Sequence, residues 1–247
     1  MSKGRGEMSD TGQPTPELTS RSLGVKQTRS LESERIALLQ SLKRRGISER
    51  VVSAMSKVKR EDYIPHNWHD YAYHDEPLPI GNGQTISAPH MVAIMCDLLS
   101  VEPSSNVLEV GTGSGYHAAV LAQLVGDGIV YTIERFEQLA QEARKRVPSN
   151  VVVNTGDGSL GFAEKAPFDR ILVTCSAPDI PPPLLAQLTA GGRMVIPLGR
   201  ELQELYLVCK NHEITKEAHG GVAFVLLVGE YGFGEARDSG RANRFRF

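Results

Sequence analysis

Three alternate glycines, Gly111, Gly113 and Gly115, follow the short apolar run Asn106–Val110 and precede a helical stretch from Tyr116. Glycine in a strand-to-helix turn lets the chain bend sharply and lets its main chain approach a ligand without Cβ atoms in the way. An acid, Glu134, ends the next apolar β-branched run, Ile129–Ile133, where a carboxylate can take both hydroxyls of a ribose. Further on, Gly156-Asp157-Gly158 follows a third run, so Asp157 can accept from an adenine amino group. An ordinary Asp-Gly turn is the plainer reading of that tripeptide taken alone.

A dinucleotide-binding loop reads Gly-x-Gly-x-x-Gly, because a diphosphate must sit on the helix N-terminus. Here the sixth position is Tyr116. The spacing suits a nucleoside ligand without a diphosphate, such as S-adenosylmethionine, and leaves a dehydrogenase as a weak alternative.

These loops need strands and helices to hold them. Residues 31–45 carry Ile36, Leu38, Leu39 and Leu42 at helical spacing, closed by Gly46. Ser48 can cap a second helix bearing Val51, Val52, Met55 and Val58. An aromatic and histidine-rich loop from Tyr63 to Tyr73 follows, then a loop from Pro77 to Gly83. Pro89 suits the first turn of a helix carrying Met91, Ile94, Met95 and Leu98. Beyond it, strands and helices alternate: strand Asn106–Val110, helix Tyr116–Val125, strand Ile129–Ile133, helix Phe136–Arg146 and strands Val151–Val153 and Arg170–Thr174. Helix Leu184–Leu188 is stopped by Gly191-Gly192, and strands Met194–Ile196, Leu205–Cys209 and Ala223–Val228 finish the series. The order predicts an α/β, Rossmann-like fold, a mainly parallel sheet with helices on both faces and an N-terminal helical segment.

The 247 residues suffice for one such domain and are too few for two full enzymatic ones. Residues 1–30 read as a disordered extension and 235–247 as a flexible tail. Between them, 31–105 would hold the N-terminal helices and a substrate loop, and 106–234 the cofactor-binding sheet and C-terminal strands. The three cysteines lack CxxC spacing, which fits a reducing compartment and gives no support for zinc or disulfides. There is no apolar leader and no run long enough for a membrane span, so the cytoplasm is the expected location. Net charge is −2, with +2 on each of the segments 1–30 and 235–247, which argues against nucleic acid as a partner.

The stretch Leu78-Pro79-Ile80-Gly81-Asn82-Gly83-Gln84-Thr85-Ile86-Ser87-Ala88-Pro89-His90-Met91 resembles the signature of the protein-L-isoaspartate O-methyltransferases. The same resemblance takes in VLEVGTGSGYHAAVLAQL, the Tyr131–Arg135 strand end, Gly156-Asp157-Gly158, Ala166-Pro167-Phe168-Asp169, and Gln187-Leu188 to Pro197-Leu198-Gly199, over roughly residues 31–230. It implies that Ser87 is the active-site hydroxyl, and that Thr85, Ile86 and His90 belong to the loop approaching substrate and methyl donor. It implies that Gly111, Gly113, Glu134, Asp157 and Gly158 contact the cofactor, a set to which Thr112, Gly115 and Thr174 are added. Cys175 departs from the family, which has a small residue such as alanine there, and Phe224–Gly229 only approximates its Phe-Val-Pro-Leu run.

The activity implied is transfer of a methyl group from S-adenosylmethionine, leaving S-adenosylhomocysteine, to the free α-carboxylate of an isoaspartyl residue in a damaged protein or peptide. Activity on D-aspartyl residues would be a variant of it. The ester then closes to a succinimide, whose hydrolysis returns some normal aspartate. A carboxylate nucleophile is already ionised at neutral pH, so no general base is required, and no metal is expected. His66, His69 and His74 with Asp70 and Asp75 mimic a metal cluster, but Pro65, Trp68, Tyr71 and Tyr73 favour a loop with aromatic packing. Ser87 could instead serve only as a helix cap before Pro89. Two other functions share the cofactor loop: an O-methyltransferase for a small acid or one dedicated peptide, and a carboxylate-binding module without turnover.

Overall fold

The computed structural model describes residues 30–234. The expected extension and tail lie outside them, Ser30 excepted. Ser30 caps α1 (Leu31–Arg44) by accepting from the Ser33 N–H, with Glu32 and Glu34 in the first turn and Lys43 and Arg44 in the last. Ser48 caps α2 (Glu49–Lys57) through the Val51 N–H, and the helix buries Val51, Val52, Ala54 and Met55. The aromatic and histidine-rich stretch winds into two 3₁₀ helices, Arg60–Tyr63 and His66–Tyr71.

The stretch Pro77–Gly83, expected as a loop, begins a β-hairpin. Strand β1 (Leu78–Gly81) pairs antiparallel with β2 (Gln84–Ile86) across Asn82-Gly83, both at positive φ. Helix α3 (Pro89–Leu99) follows, with proline in its first turn where no N–H is needed.

The main sheet comprises β3 (Asn106–Val110), β4 (Ile129–Glu134), β5 (Val151–Thr155), β6 (Phe168–Val173), β7 (Leu188–Leu198), β8 (Gln203–Lys210) and β9 (Ile214–Val222). Its order is β5-β4-β3-β6-β7-β8-β9. Strands β3 to β7 run parallel, and β8 and β9 add antiparallel. Helices α4 (Tyr116–Val125), α5 (Glu137–Arg144) and α6 (Pro182–Gln187) make crossovers. Alternation along the strands divides the core. Val107, Val130, Leu172 and Val195 meet α1 to α4 on one face, while Leu108, Ile133, Ile171 and Met194 meet α6 on the other. The chain moves outward from β3 to β5, then returns to place β6 on the other side of β3. Parallel strands that part in this way leave a crevice at their C-terminal ends, where ligands of open α/β sheets bind.

Two strands differ from the sequence expectation. Ala223–Val228 is an extended strap with isolated pairing of Leu226 to Ser176, and the last strand is β9. The side chains of β9 are almost all exposed, so it lacks an apolar pattern, whereas the apolar strap packs Leu227, Val225 and Phe224 onto the two core clusters. Gly191-Gly192 lies inside β7, not at a helix stop, because α6 has already ended at Gln187. Among the described residues, no helix is long and apolar enough to cross a membrane.

Candidate active site

The glycine loop closes the C-terminal end of β3. Gly111 takes φ +98°, and a Cβ there would collide with the Thr174 hydroxyl oxygen. That hydroxyl lies 2.7 Å from the Gly111 carbonyl oxygen and 3.0 Å from that of Val110, and donates to this pair. Gly115, at φ +87°, is the residue just before α4, and a Cβ on it would come within 2.7 Å of Val147. Beneath the loop the Thr112 and Thr132 hydroxyls lie 2.7 Å apart, and Thr132 donates to the fully buried Glu109 carboxyl. Burial pushes the Glu109 carboxyl up to about 8, reinforced by the charge of Glu134 and opposed by the Thr132 hydrogen bond.

Glu134 ends β4 beside this loop. Its carboxylate accepts the Gly113 N–H at 2.8 Å and the Phe136 N–H at 3.0 Å, so it braces the turn. A carboxylate has about four acceptor positions, which leaves capacity for a ligand's hydroxyls. Asp157 is differently employed. It accepts from the Ser159 N–H (2.9 Å), the Ser159 hydroxyl (2.7 Å) and the Glu230 N–H (2.7 Å). Burial raises this carboxyl, but those three bonds and the Arg135 charge together hold it below its ordinary range. The neighbouring Gly158 lines the chamber described next; Asp157 is outside the lining.

Two hollows meet at the sheet's C-terminal edge. A chamber of about 900 Å³ is lined by Gly111, Thr112, Gly113 and Glu134, with apolar walls from Val110, Ile133 and Phe136. A groove of about 970 Å³ lies beside it, bordered by His90, Met91, Tyr206 and Lys216. Thr85, Ser87, Thr174, Gln203, Val222 at the end of β9 and the strap residues Ala223 to Val225 line both. Ser87 therefore stands on the shared wall, as does Thr85, while Ile86 lines the chamber and His90 the groove. His90 is tied to Asp75, whose Oδ1 takes the His90 main-chain N–H at 2.8 Å and lies 2.9 Å from the ring Nδ1. Gly115 orients the loop from behind, outside the chamber lining.

Cys175 lines the chamber but is buried, and burial pushes its thiol up, keeping it protonated. His66 and His69 stack edge to face at 4.6 Å, with Trp68 and Tyr71 similarly paired at 5.7 Å. Gln203 is a site residue that the sequence did not reveal. Its side-chain oxygen accepts the Phe224 N–H at 2.6 Å and its amide donates to the Phe224 carbonyl at 2.9 Å, fixing the strap. A glutamine in a polar strand start carries no spacing signal, and the strap's apolar run reads as a strand.

The sequence profile of the Protein-L-isoaspartate(D-aspartate) O-methyltransferase (PCMT) family matches residues 33–232. A protein-L-isoaspartate O-methyltransferase of Methanothrix thermoacetophila is 56% identical over 201 residues, 79% of this chain and 95% of that protein. Protein-L-isoaspartate O-methyltransferase 1 of Archaeoglobus fulgidus is 53% identical over 193 residues, 76% and 89% of the two chains. Among solved structures, a Plasmodium falciparum protein described as a protein-L-isoaspartate O-methyltransferase, in complex with S-adenosyl-L-homocysteine, superposes with TM-score 0.71 at 31% identity. The match covers 78% of this chain and 97% of that one.

Proposed function

Because the chain belongs to the protein-L-isoaspartate(D-aspartate) O-methyltransferase family, we propose that its two hollows divide the reaction between them. The chamber takes S-adenosylmethionine and the groove takes the isoaspartyl segment of a damaged protein. The observation that carries this reading is the position of Ser87 on the wall common to both.

The residues present suit the donor. Bare main chain at Gly111 and Gly113, a carboxylate at Glu134 and an apolar wall from Ile133 and Phe136 match a ligand with a ribose and an adenine but no diphosphate. Glu134 would hold the ribose, and Thr112 and Gly158 would border the ligand with Thr174. Asp157 would reach the adenine amino group only by sharing the carboxylate it now gives to Ser159 and Glu230. When bound, S-adenosylmethionine supplies an activated methyl group on a positively charged sulfur.

The chain's own work is placement. The Ser87 hydroxyl donates to one oxygen of the isoaspartyl carboxylate and holds the other toward the chamber. Thr85 flanks it, and Ile86 keeps the chamber side apolar. His90, oriented by Asp75, borders the groove as a donor to the substrate. No group has to remove a proton, since the nucleophile is ionised. Alignment of reacting atoms is worth roughly 7–11 kcal/mol in well-ordered sites, against about 1.5–3 kcal/mol for one hydrogen bond to a charged group. Orientation therefore dominates. Opposite charges cancel as the methyl group moves, and a water-poor wall favours that change.

The setting is the cytoplasm, which the cysteine usage supports, and neither nucleic acid, disfavoured by the net charge of −2, nor a membrane is a partner. Its test is transfer of a labelled methyl group to an isoaspartyl peptide, the matched aspartyl peptide and small carboxylic acids. Labelling confined to the isoaspartyl peptide is expected. Equal labelling of the aspartyl peptide or of the small acids would overturn the reading.

A further inference from the structure

Behind Ser87 lies a charged side chain that neither hollow touches. Arg60, in the first 3₁₀ helix, is 0% exposed. Its guanidinium donates to the Ser87 carbonyl at 2.8 Å and to the Glu76 carbonyl at 3.2 Å, while its Nε has no partner among the described residues. It sits 5.3 Å from the centroid of the Tyr116 ring. Tyr116 is the first residue of α4, directly after the glycine loop, and is itself buried against Tyr63.

A buried cation is costly, and the usual compensation is a carboxylate in contact. Among the described residues Arg60 makes no such ion pair; Asp75, the acid whose charge it feels, gives its own oxygens to His90 and Arg45. Burial lowers the guanidinium only to about 10, so it stays charged at neutral pH. An apolar side chain of the same reach would fill this space at less cost but would release the Ser87 carbonyl. A lysine could not span two carbonyls and an aromatic face at once, because only arginine offers a rigid planar fork that also stacks.

We infer that Arg60 is a positioning residue for methyl transfer: it fixes Ser87 through its carbonyl and, through Tyr116, sets that hydroxyl in register with the glycine loop. The inference rests on the reading of Ser87 given above. Arg60 touches neither ligand, so it acts through the main chain of its neighbours.

The experiment compares the native chain with Arg60→Lys, Arg60→Met, Ser87→Ala and the Arg60→Lys/Ser87→Ala pair. Turnover of an isoaspartyl peptide is read beside calorimetric titration with S-adenosylhomocysteine. For Arg60→Lys we expect turnover per titrated site to fall about tenfold or more while affinity for S-adenosylhomocysteine stays within about twofold. Adding Ser87→Ala should then cost less than about threefold more, because both changes disable one unit. Arg60→Met, if folded, should follow the same pattern with a larger loss. A lysine variant as active as the native chain would overturn the inference, as would losses that multiply in the pair. A lysine variant that does not fold assigns Arg60 to stability alone and overturns it too. If the native chain itself fails on the isoaspartyl peptide, the proposed function falls and takes this inference with it; an active native chain with an unaffected lysine variant sinks the inference alone.

Discussion

The Thr174 hydroxyl oxygen lies 2.7 Å from the Gly111 carbonyl oxygen, so the end of β6 is bonded to the first glycine of the loop that ends β3. The two strands part at this point, and the hydroxyl spans the mouth of the crevice. It also occupies the space that any side chain at Gly111 would need.

Gly111→Ala should therefore damage the chamber twice, through the collision with Thr174 and through a φ that costs an L-residue about 1–3 kcal/mol. We expect the dissociation constant of S-adenosylhomocysteine to rise roughly 10–100-fold by calorimetry. Combining it with Thr174→Ala removes the collision and leaves the backbone strain, so about half the loss in free energy should return. An alanine variant that binds like the native chain would show that the loop is not part of the binding chamber.

Ser87→Ala removes one hydrogen bond to a charged group, about 1.5–3 kcal/mol. Turnover on an isoaspartyl peptide should drop roughly ten- to a hundredfold without vanishing. Binding of S-adenosylhomocysteine should hold, since the chamber keeps its glycines and Glu134. Unchanged turnover would remove Ser87 from the site.

Glu134→Gln keeps an oxygen for either the Gly113 or the Phe136 N–H but loses the charge. Donor affinity should weaken by roughly 10–100-fold, the worth of one charged hydrogen bond. Glu134→Ala should additionally lower the melting temperature, because two main-chain N–H groups lose their acceptor. Equal affinities for the native and glutamine forms would argue against a ribose contact.

Glu109 sets a pH dependence of stability. Its folded value of about 8 lies above the ordinary 4.5, so between these limits the folded chain holds more protons than the unfolded one. Stability contributed by this group must fall as pH rises through that window and level off above it. His117, pulled by burial from 6.5 to about 3, has the reverse effect on the acid side, where stability falls as pH drops. Above 6.5 Glu109 is the member of this pair that still changes. Glu109→Gln cannot ionise, so its melting temperature should decline less than the native one between about pH 6.5 and about pH 8. Parallel declines would show that the carboxyl is not buried as described.

The glycines, Glu134 and the parallel strands were legible because their backbone demands are local: a turn needing positive φ, an apolar run, an acid at a strand end. The hairpin β1–β2 escaped although Asn82-Gly83 between apolar residues is itself a hairpin signal; the prolines and glycines around it read as loop. Strand β9 escaped because an exposed edge strand has no apolar face to display. Asp157 stands after β5 as the spacing predicts, and Ser159 is its neighbour two residues on, but the Glu230 N–H that shares its carboxylate comes from chain far downstream and leaves no local signal. Arg60 and Gln203 could not be found at all, since their importance lies in carbonyls and amides that only tertiary folding brings near.

The partition between chamber and groove is one residue layer thick at Thr85, Ser87 and Thr174. A bulkier side chain at any of the three would therefore intrude on both hollows at once, whereas trimming a single hydroxyl need not. Variation that spares the chamber has room farther out, at groove residues such as His90, Tyr206 and Lys216, which do not line it.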